Sequence, residues 1–332
     1  MKKGSLLSLV LASLFFAFGP SQLRAERVVL GYGSLDGAQM VHWVTKSAGI
    51  FKKNNLDVQD VFIAGGAAIM QALLSGDVHV AHIGGGHVVN SVLNGVDTVM
   101  IAATSNTLDF TLFAAKHVRK PVDLKGGIVG VGRFGGSADI AVRYALSRWG
   151  LVPDRDVRVV QIGAQPERLA ALQYGKVQAT VVQPPTTLVA REMGFVELAD
   201  MPALGMEFPT IGIVTRRKTI QDRRGVVEGF LRSVVEGIHY IKTHPKESMD
   251  VLGQKMKMTD VKAQEEAYNF YTKKIFRDVP LPTVAGFQFV MDQAAAYNPK
   301  VRAYSPKDFM DSSFLDDLVK SGFLARLKRS PS

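Results

Sequence analysis

Two rhythms of apolar residues alternate along this chain. Short runs rich in β-branched residues, such as VVLGY at 28–32 and VHVAHI at 78–83, read as strands, whereas AAIMQALLSG reads as a helix that stops at Gly76. The pattern becomes purely helical later. Val226, Val227, Phe230, Leu231, Val234, Val235 and Ile238 fall on one face of a helix predicted from Arg223 to Lys242, and His244-Pro245 ends it. Further helices are expected over 261–276, 284–297 and 306–323, all read as core-facing cladding.

The strand and helix signals repeat at an offset of 99 residues. Gly31, Gly33, Gly37 and Ala38 answer to Gly130, Gly132, Gly136 and Ser137, and a second turn sets Gly65 and Gly66 against Ala164 and Gln165. Ala72, Leu73, Gly76 and Val78 match Ala171, Leu172, Gly175 and Val177 without a gap, and residues 84–86 fall opposite 183–185. A period this long indicates a duplicated lobe and not a solenoid. Each half reads strand, helix, strand, helix, strand, which implies parallel pairing with right-handed crossovers. Ligands of such sheets sit beyond the carboxyl ends of the strands, so the repeated turns of each half should gather at one edge. Two facing copies make a cleft lined by backbone N–H groups at helix starts, a setting that favours a negative group.

Composition narrows the classes further. With 332 residues and 47% hydrophobic ones the chain can bury a large core, and having no cysteine it can form no disulfide, thiolate metal site, cysteine nucleophile or thiol-linked lipid anchor. Lys2 and Lys3 precede an apolar run from Leu6 to Phe18, and Leu23-Arg24-Ala25 follows, the layout of a secretory signal cleaved after residue 25. Thirteen apolar residues are too few for a membrane span, which takes about 20. The formal charge of +10 falls to +7 without Lys2, Lys3 and Arg24, and no basic block remains, so nucleic acid is not an expected partner.

In order along the chain, AGIFKKNNLDV, FIAGGAAIMQALLSGDVHVAHIGGG, PVDLKGGIVGVGRFGGSADIAVRYALSRWGL, QYGKVQATVVQPPTTLVAREMGF and VVEGFLRSVVEGIHYIKTHPKES resemble the substrate-binding proteins of ABC importers. The branch they resemble takes nitrate, taurine, alkanesulfonates and thiamine pyrimidine precursors. His79, where the family often carries an acidic residue, is the visible departure. The resemblance implies an α/β protein of the two-lobed periplasmic binding protein type II fold, its two α/β lobes joined by two hinge strands near 110–116 and 211–216. Residues 26–115 and 211–332 would form the first lobe, the latter with the C-terminal helices, and 116–210 the second. The expected function is capture of a small, sulfonate- or carboxylate-bearing ligand by a monomeric periplasmic protein that is not a lipoprotein, for delivery to a permease of the inner membrane. A pyrimidine-precursor binding protein and an enzyme of the pyrimidine-synthase type are the alternatives, the enzyme disfavoured by the missing cysteines. A sensory module would need a further signalling segment. No cofactor is expected.

Carried over turn by turn, the resemblance offers Gly33 and Ser34, Gly65 and Gly66, then Gly85, Gly86 and His87 from the first lobe. The second offers Arg133, Gly136, Ser137 and Ala138, then Gln165, then Gln183. Ser34 and Ser137 suit either a ligand or an N-cap. Arg133 suits a charge-assisted bond to a carboxylate or sulfonate, or plain solvation. His87 could donate to an anion or serve structure. Phe134 and Phe208 could stack on a flat ligand or pack under loops, and Glu207 could meet a ligand amine. Residues 130–135 fit GxGxxG, but Asp154 and Asp156 stand before the next strand and not after it, against a dinucleotide site. His79 and His82, three apart on a strand, face opposite ways, against paired metal ligands, and no nucleophile motif occurs.

Overall fold

The computed structural model describes residues 25–295 and 298–329; the expected signal segment lies outside these apart from Ala25. The first half of the repeat supplies β1 (Glu26–Tyr32), α1 (Met40–Ser47), α2 (Ile50–Lys53), β2 (Leu56–Phe62), α3 (Gly66–Ser75), β3 (Val80–Ile83) and α4 (Gly85–Leu93). β4 (Thr98–Thr107) and β5 (Thr111–Ala114) lead into β6 (Ile128–Val131), α5 (Ser137–Arg148), β7 (Arg158–Gln161), α6 (Gln165–Gln173), β8 (Ala179–Val182) and α7 (Thr186–Glu192). After β9 (Val196–Asp200) and β10 (Glu207–Arg216) come α8 (Arg217–Asp222), α9 (Arg224–Thr243), α10 (Pro245–Met256), α11 (Val261–Phe270), α12 (Val284–Ala295), α13 (Ser313–Lys320) and α14 (Phe323–Arg329).

The strands form two five-stranded sheets with matching layouts, β2-β1-β3-β10-β4 and β7-β6-β8-β5-β9. Three parallel strands come from each repeat; one strand, β10 or β5, runs antiparallel to both its neighbours, and β4 or β9 completes the sheet beyond it. The duplication extends to atomic packing. A methyl on Gly31 would lie 3.1 Å from Ile69 and 3.2 Å from Val78, and one on Gly130 would lie 3.1 Å from Ile162 and 3.4 Å from Val177, so in both lobes glycine lets the valine before the third strand sit close. Gly76 and Gly175 both take positive φ at the ends of α3 and α6, where a side chain would be strained.

Pairing moves both crossings. β5 bonds β8 and β9 in the second sheet, and β10 bonds β3 and β4 in the first along its length. The chain passes from one sheet to the other in the links 108–110 and 201–206, which bond each other from the Met201 N–H to the Phe110 carbonyl at 3.0 Å, while residues 111–114 and 211–216 are held inside a sheet. One buried core runs through both crossings, with Met100, Leu108, Phe110, Leu112 and Phe208 in it. The predicted stripe of α9 is buried against β2 and α1 except Val226, with Phe230 stacked on Phe51 at 5.3 Å. The helix expected over 306–323 is broken instead. Met100 exchanges backbone bonds with Phe309 and Asp311, which holds this stretch extended beside β4 and delays α13 to Ser313.

Candidate functional site

Three turns follow the parallel strands β1, β2 and β3 at one edge of the first sheet, and three follow β6, β7 and β8 at one edge of the second. The helices that start there, α3, α4, α5 and α6, have no side-chain N-cap, so their first N–H groups are not taken by their own caps. Neighbouring turns lean on one another. A methyl on Gly66 would fall 2.1 Å from Nε2 of His87, which joins the second and third turns of the first lobe. Across the cleft, Gln165 Oε1 accepts from the Gln183 backbone N–H at 2.6 Å and its amide donates to Gln183 Oε1 at 3.2 Å.

The first turn is organised by a buried polar relay. His82 Nδ1 lies 2.7 Å from Gln39 Oε1 and its Nε2 2.7 Å from Thr104 Oγ1. Burial pushes the imidazole down to about 3, so the ring is neutral at pH 7, with the proton on Nδ1 because Gln39 Oε1 can only accept. The Gln39 amide donates to Ser34 Oγ at 2.8 Å, and the Ser34 hydroxyl is left to bond Asp36. Asp36 caps the turn, accepting from the Ala38 N–H at 2.9 Å. It is 6% exposed, and burial raises it above the usual carboxylate range.

Asp109, in the first crossing, is fully buried. Loss of water, followed by the nearby charge of Asp36, pushes its carboxyl up to about 8. Ser105 Oγ donates to Oδ2 at a long 3.5 Å, and Gln183 also reaches the carboxyl and lowers it more than Ser105 does. The buried Tyr271 hydroxyl is approached by the Ala38 backbone N–H, feels both carboxyls and is held well above the ordinary tyrosine range by burial. Its ring lies where a side chain on Gly37 would be, 2.4 Å from the position of a Cβ. Tyr271 opens a widened turn over 271–275, in which the Phe276 N–H reaches back to the Tyr271 carbonyl at 2.8 Å.

The other expected residues divide. Gly33, Gly65 and Gly86 sit in the turns, Gly65 with φ +92° and open space where a side chain would be. Gly85 packs on Pro209 instead, 2.5 Å from a would-be Cβ, and so serves the join to β10. Neither serine is an N-cap: Asp36 and Gly136 hold those places, and Ser137 is the first residue of α5 with Ala138 buried behind it. His87 is half-buried and neutral, lowered by burial, so at pH 7 it offers no positive charge to an anion. Arg133 is exposed at the second-lobe turn. Phe208 is core, edge-on to Phe289 at 6.1 Å, while Phe134 is exposed beneath Arg143. Glu207 already faces Arg277 at 3.6 Å, which accounts for its charge without a ligand amine. His79 accepts from the Val29 N–H and His82 belongs to the relay, so the two histidines are spent separately.

The sequence matches the NMT1-like family over residues 21–253. The chain belongs to this family. A curated relative, the taurine-binding periplasmic protein of Escherichia coli, is 28% identical over 174 residues, which are 52% of this chain and 53% of that one. The match thus spans about half the relative's length. Among solved structures, the periplasmic nitrate-binding protein of Synechocystis superposes with a TM-score of 0.72 at 13% identity, covering 90% of this chain and 89% of that one. The periplasmic aliphatic sulphonate binding protein of Escherichia coli gives 0.70 at 17%, covering 84% and 93%. The fold of this NMT1-like protein is therefore the two-lobed type II fold of periplasmic binding proteins.

Four residues of the site escaped sequence reasoning. Asp36, Asp109 and Tyr271 are three of them, and the last is Arg168 at 4% exposure. Its guanidinium donates to the Gly163 carbonyl at 2.7 Å and twice to Val181, at 3.0 and 3.2 Å, beneath the second-lobe turns. Burial lowers it to about 10, which still leaves it charged at pH 7. The lobes also touch across the mouth: Arg191 on α7 meets Glu266 on α11 at 2.6 Å, Thr187 bonds the same carboxylate, and Lys274 meets Asp200 at 2.5 Å.

Proposed function

We propose that this NMT1-like protein is the solute-binding component of an ABC importer, acting in the periplasm as a monomer. Its ligand binds in the interlobe cleft, and the closed form is handed to a membrane permease without bond-making or bond-breaking. The observation that carries this reading is the pair of duplicated lobes, each ending three parallel strands in turns at one sheet edge, with ion pairs such as Arg191–Glu266 bridging the lobes. Lobes whose chain crosses only twice can hinge about those crossings, and closure adds second-lobe contacts to first-lobe ones. Shifting a 1:99 equilibrium to 99:1 takes about 5.5 kcal/mol of differential affinity.

An anionic end of the ligand fits the second lobe. The free starts of α5 and α6 supply N–H donors, buried Arg168 supplies a fixed positive charge behind them, and exposed Arg133 can fold onto the ligand. The sulfonate, nitrate and taurine named for the relatives agree with such an end. Native mass spectrometry of freshly purified protein, then a thermal-shift panel of sulfonates, carboxylates and pyrimidines, tests the reading. A ligand at one hundred times its Kd stabilises by about 2.7 kcal/mol. Arg133→Ala is expected to weaken an anionic ligand at least tenfold; silence from the whole panel overturns the reading.

A further inference from the structure

The second lobe has an end that the cleft does not use. β6, β7 and β8 run parallel, so the links that precede them, 115–127, 149–157 and 174–178, gather at the sheet edge opposite the turns. Backbone bonds tie these links together. The Gly126 N–H donates to the Asp156 carbonyl at 2.7 Å, the Arg158 N–H to Gly127 at 2.9 Å and the Gln178 N–H to Ile128 at 2.7 Å. Lys116, Arg119, Lys120 and Lys125 stand on the first link, Arg158 just after the second and Lys176 on the third. All are exposed, and none belongs to an ion pair among the described residues. The acids of the same links are engaged already. Asp123 accepts from the Arg119 and Lys120 backbone N–H groups, Asp154 from Arg143, and Asp156 from Arg155 and the Val152 N–H. Each link also exposes an apolar side chain among its cations, Val122 at 54%, Val152 at 41% and Tyr174 at 74%. Cations scattered along the sequence thus become one basic face on folding.

We propose that this end of the second lobe rests on an anionic phospholipid surface, its cations over the headgroups and Val122, Val152 and Tyr174 in the interface. Two observations favour lipid over an acidic protein. The cations are long side chains without fixed partners, spread over three links, which suits mobile headgroups better than a set of matched carboxylates. The apolar tips stand singly among them, and an exposed tyrosine, with an apolar ring and a polar hydroxyl, fits a boundary between water and lipid. The same strands carry the cleft turns at their other ends. A chain docked this way therefore turns its cleft edge away from the lipid, and is concentrated at a bilayer while the cleft stays open to solute.

The test is co-sedimentation of the full mature chain with vesicles of phosphatidylglycerol and phosphatidylcholine in equal parts, against vesicles of phosphatidylcholine alone. Binding is expected to the anionic vesicles only, and to be lost at about 1 M salt, where the screening length is about 3 Å. A cation close to an anionic leaflet contributes about fivefold, so the triple variant Lys125→Glu, Arg158→Glu and Lys176→Glu, one change per link, should lower partitioning by about a hundredfold. The triple variant Lys300→Glu, Arg302→Glu and Lys307→Glu alters the charge equally at exposed first-lobe positions, and should stay within about threefold of wild type. Tyr174 is too exposed for Tyr174→Trp to disturb packing, and the added indole should be quenched by vesicles brominated along their acyl chains. Equal binding to neutral vesicles, no binding to either kind, equal loss in the two triple variants, or quenching no greater than in wild type overturns the inference. Capture by polyglutamate without sedimentation by vesicles assigns the face to an acidic protein and overturns it too. Each of these results leaves the cleft reading standing.

Discussion

Asp109→Asn should make the ligand-free protein more stable. In the folded chain Asp109 keeps its proton up to about 8, whereas in the unfolded chain it releases it near 3.8. Between those values unfolding releases a proton, so stability is full below about 3.8 and falls as pH rises, by up to about 1.4 kcal/mol per pH unit. Over the roughly three units between 3.8 and 7 the ceiling is about 4 kcal/mol. Asparagine has the same shape and no charge to suppress, so it recovers part of this. His82 works in the opposite direction: held down to about 3 in the folded state, it adds stability as pH rises from there to 6.5, and lowered His42 and His87 act in the same sense. Their contribution is complete only about a unit above 6.5, but it is common to wild type and Asp109→Asn, so the difference between the two across 6.5 to 8 isolates the carboxyl. Urea unfolding at four pH values across that window, on wild type and Asp109→Asn, is the assay. The wild-type midpoint should fall steadily relative to that of the variant, and at pH 7 the variant should lead by about 1 to 4 kcal/mol. A variant that is less stable, or that falls with the same slope, would refute the claim that a buried, protonated and unpaired acid sits at 109.

Three further substitutions probe the frame around the site. Glu266→Gln removes the charge that Arg191 and Thr187 share across the mouth; because such half-exposed pairs are worth about 0.2–1 kcal/mol, ligand affinity should fall two- to fivefold and small-angle scattering of the free protein should show a larger radius of gyration. Gly66→Ala puts a methyl against His87, for an expected loss of about 1–3 kcal/mol that His87→Ala restores in a double-mutant cycle; additive losses would mean that the ring is not the obstacle. Arg168→Met strands the Gly163 and Val181 carbonyls and should cost about 2–4 kcal/mol in denaturant melts, with a weaker hold on anionic ligands.

The architecture was legible because it is written twice. Gly31 with Val78 and Gly130 with Val177 reproduce one packing arrangement at one offset, and the turns next to them had to share an edge once the strands were parallel. The charged groups were not legible, since sequence rhythm reports which face is apolar and says little about which acid loses its water. Asp36 reads as an ordinary loop acid, Asp109 as a break between strands, and Tyr271 as part of a cladding helix. Each becomes chemical only when three segments more than seventy residues apart, or on either side of a crossing, close on one point. Arg133 attracted attention because it stands in a glycine-rich loop, and that loop is exposed. Glu207 drew interest as an acid near the cleft, but its charge belongs to Arg277. One signal for Arg168 was available: at the offset of 99 it occupies the slot of Ile69, a core position.

That slot shows how the duplicated cleft acquired a direction. Under the first turn of the first lobe, a methyl on Gly33 would meet Ile69 at 2.9 Å; under the matching turn of the second, one on Gly132 would meet the Arg168 guanidinium at 3.2 Å. In the turns themselves the order reverses, with Asp36 in the first lobe set against Gly135 in the second. Asp109, on the crossing and outside the repeat, adds its acid beside Asp36. Two copies with one backbone plan thus differ by an acid on one side and a cation on the other. A cleft so polarised discriminates among solutes by orientation, because an anionic end set against the acids meets like charge and one set against Arg168 meets an opposite charge. Arg168→Met should therefore weaken an anionic ligand and uncouple its binding from closure, which small-angle scattering with and without ethanesulfonate can read directly; unchanged compaction in the variant would refute the argument.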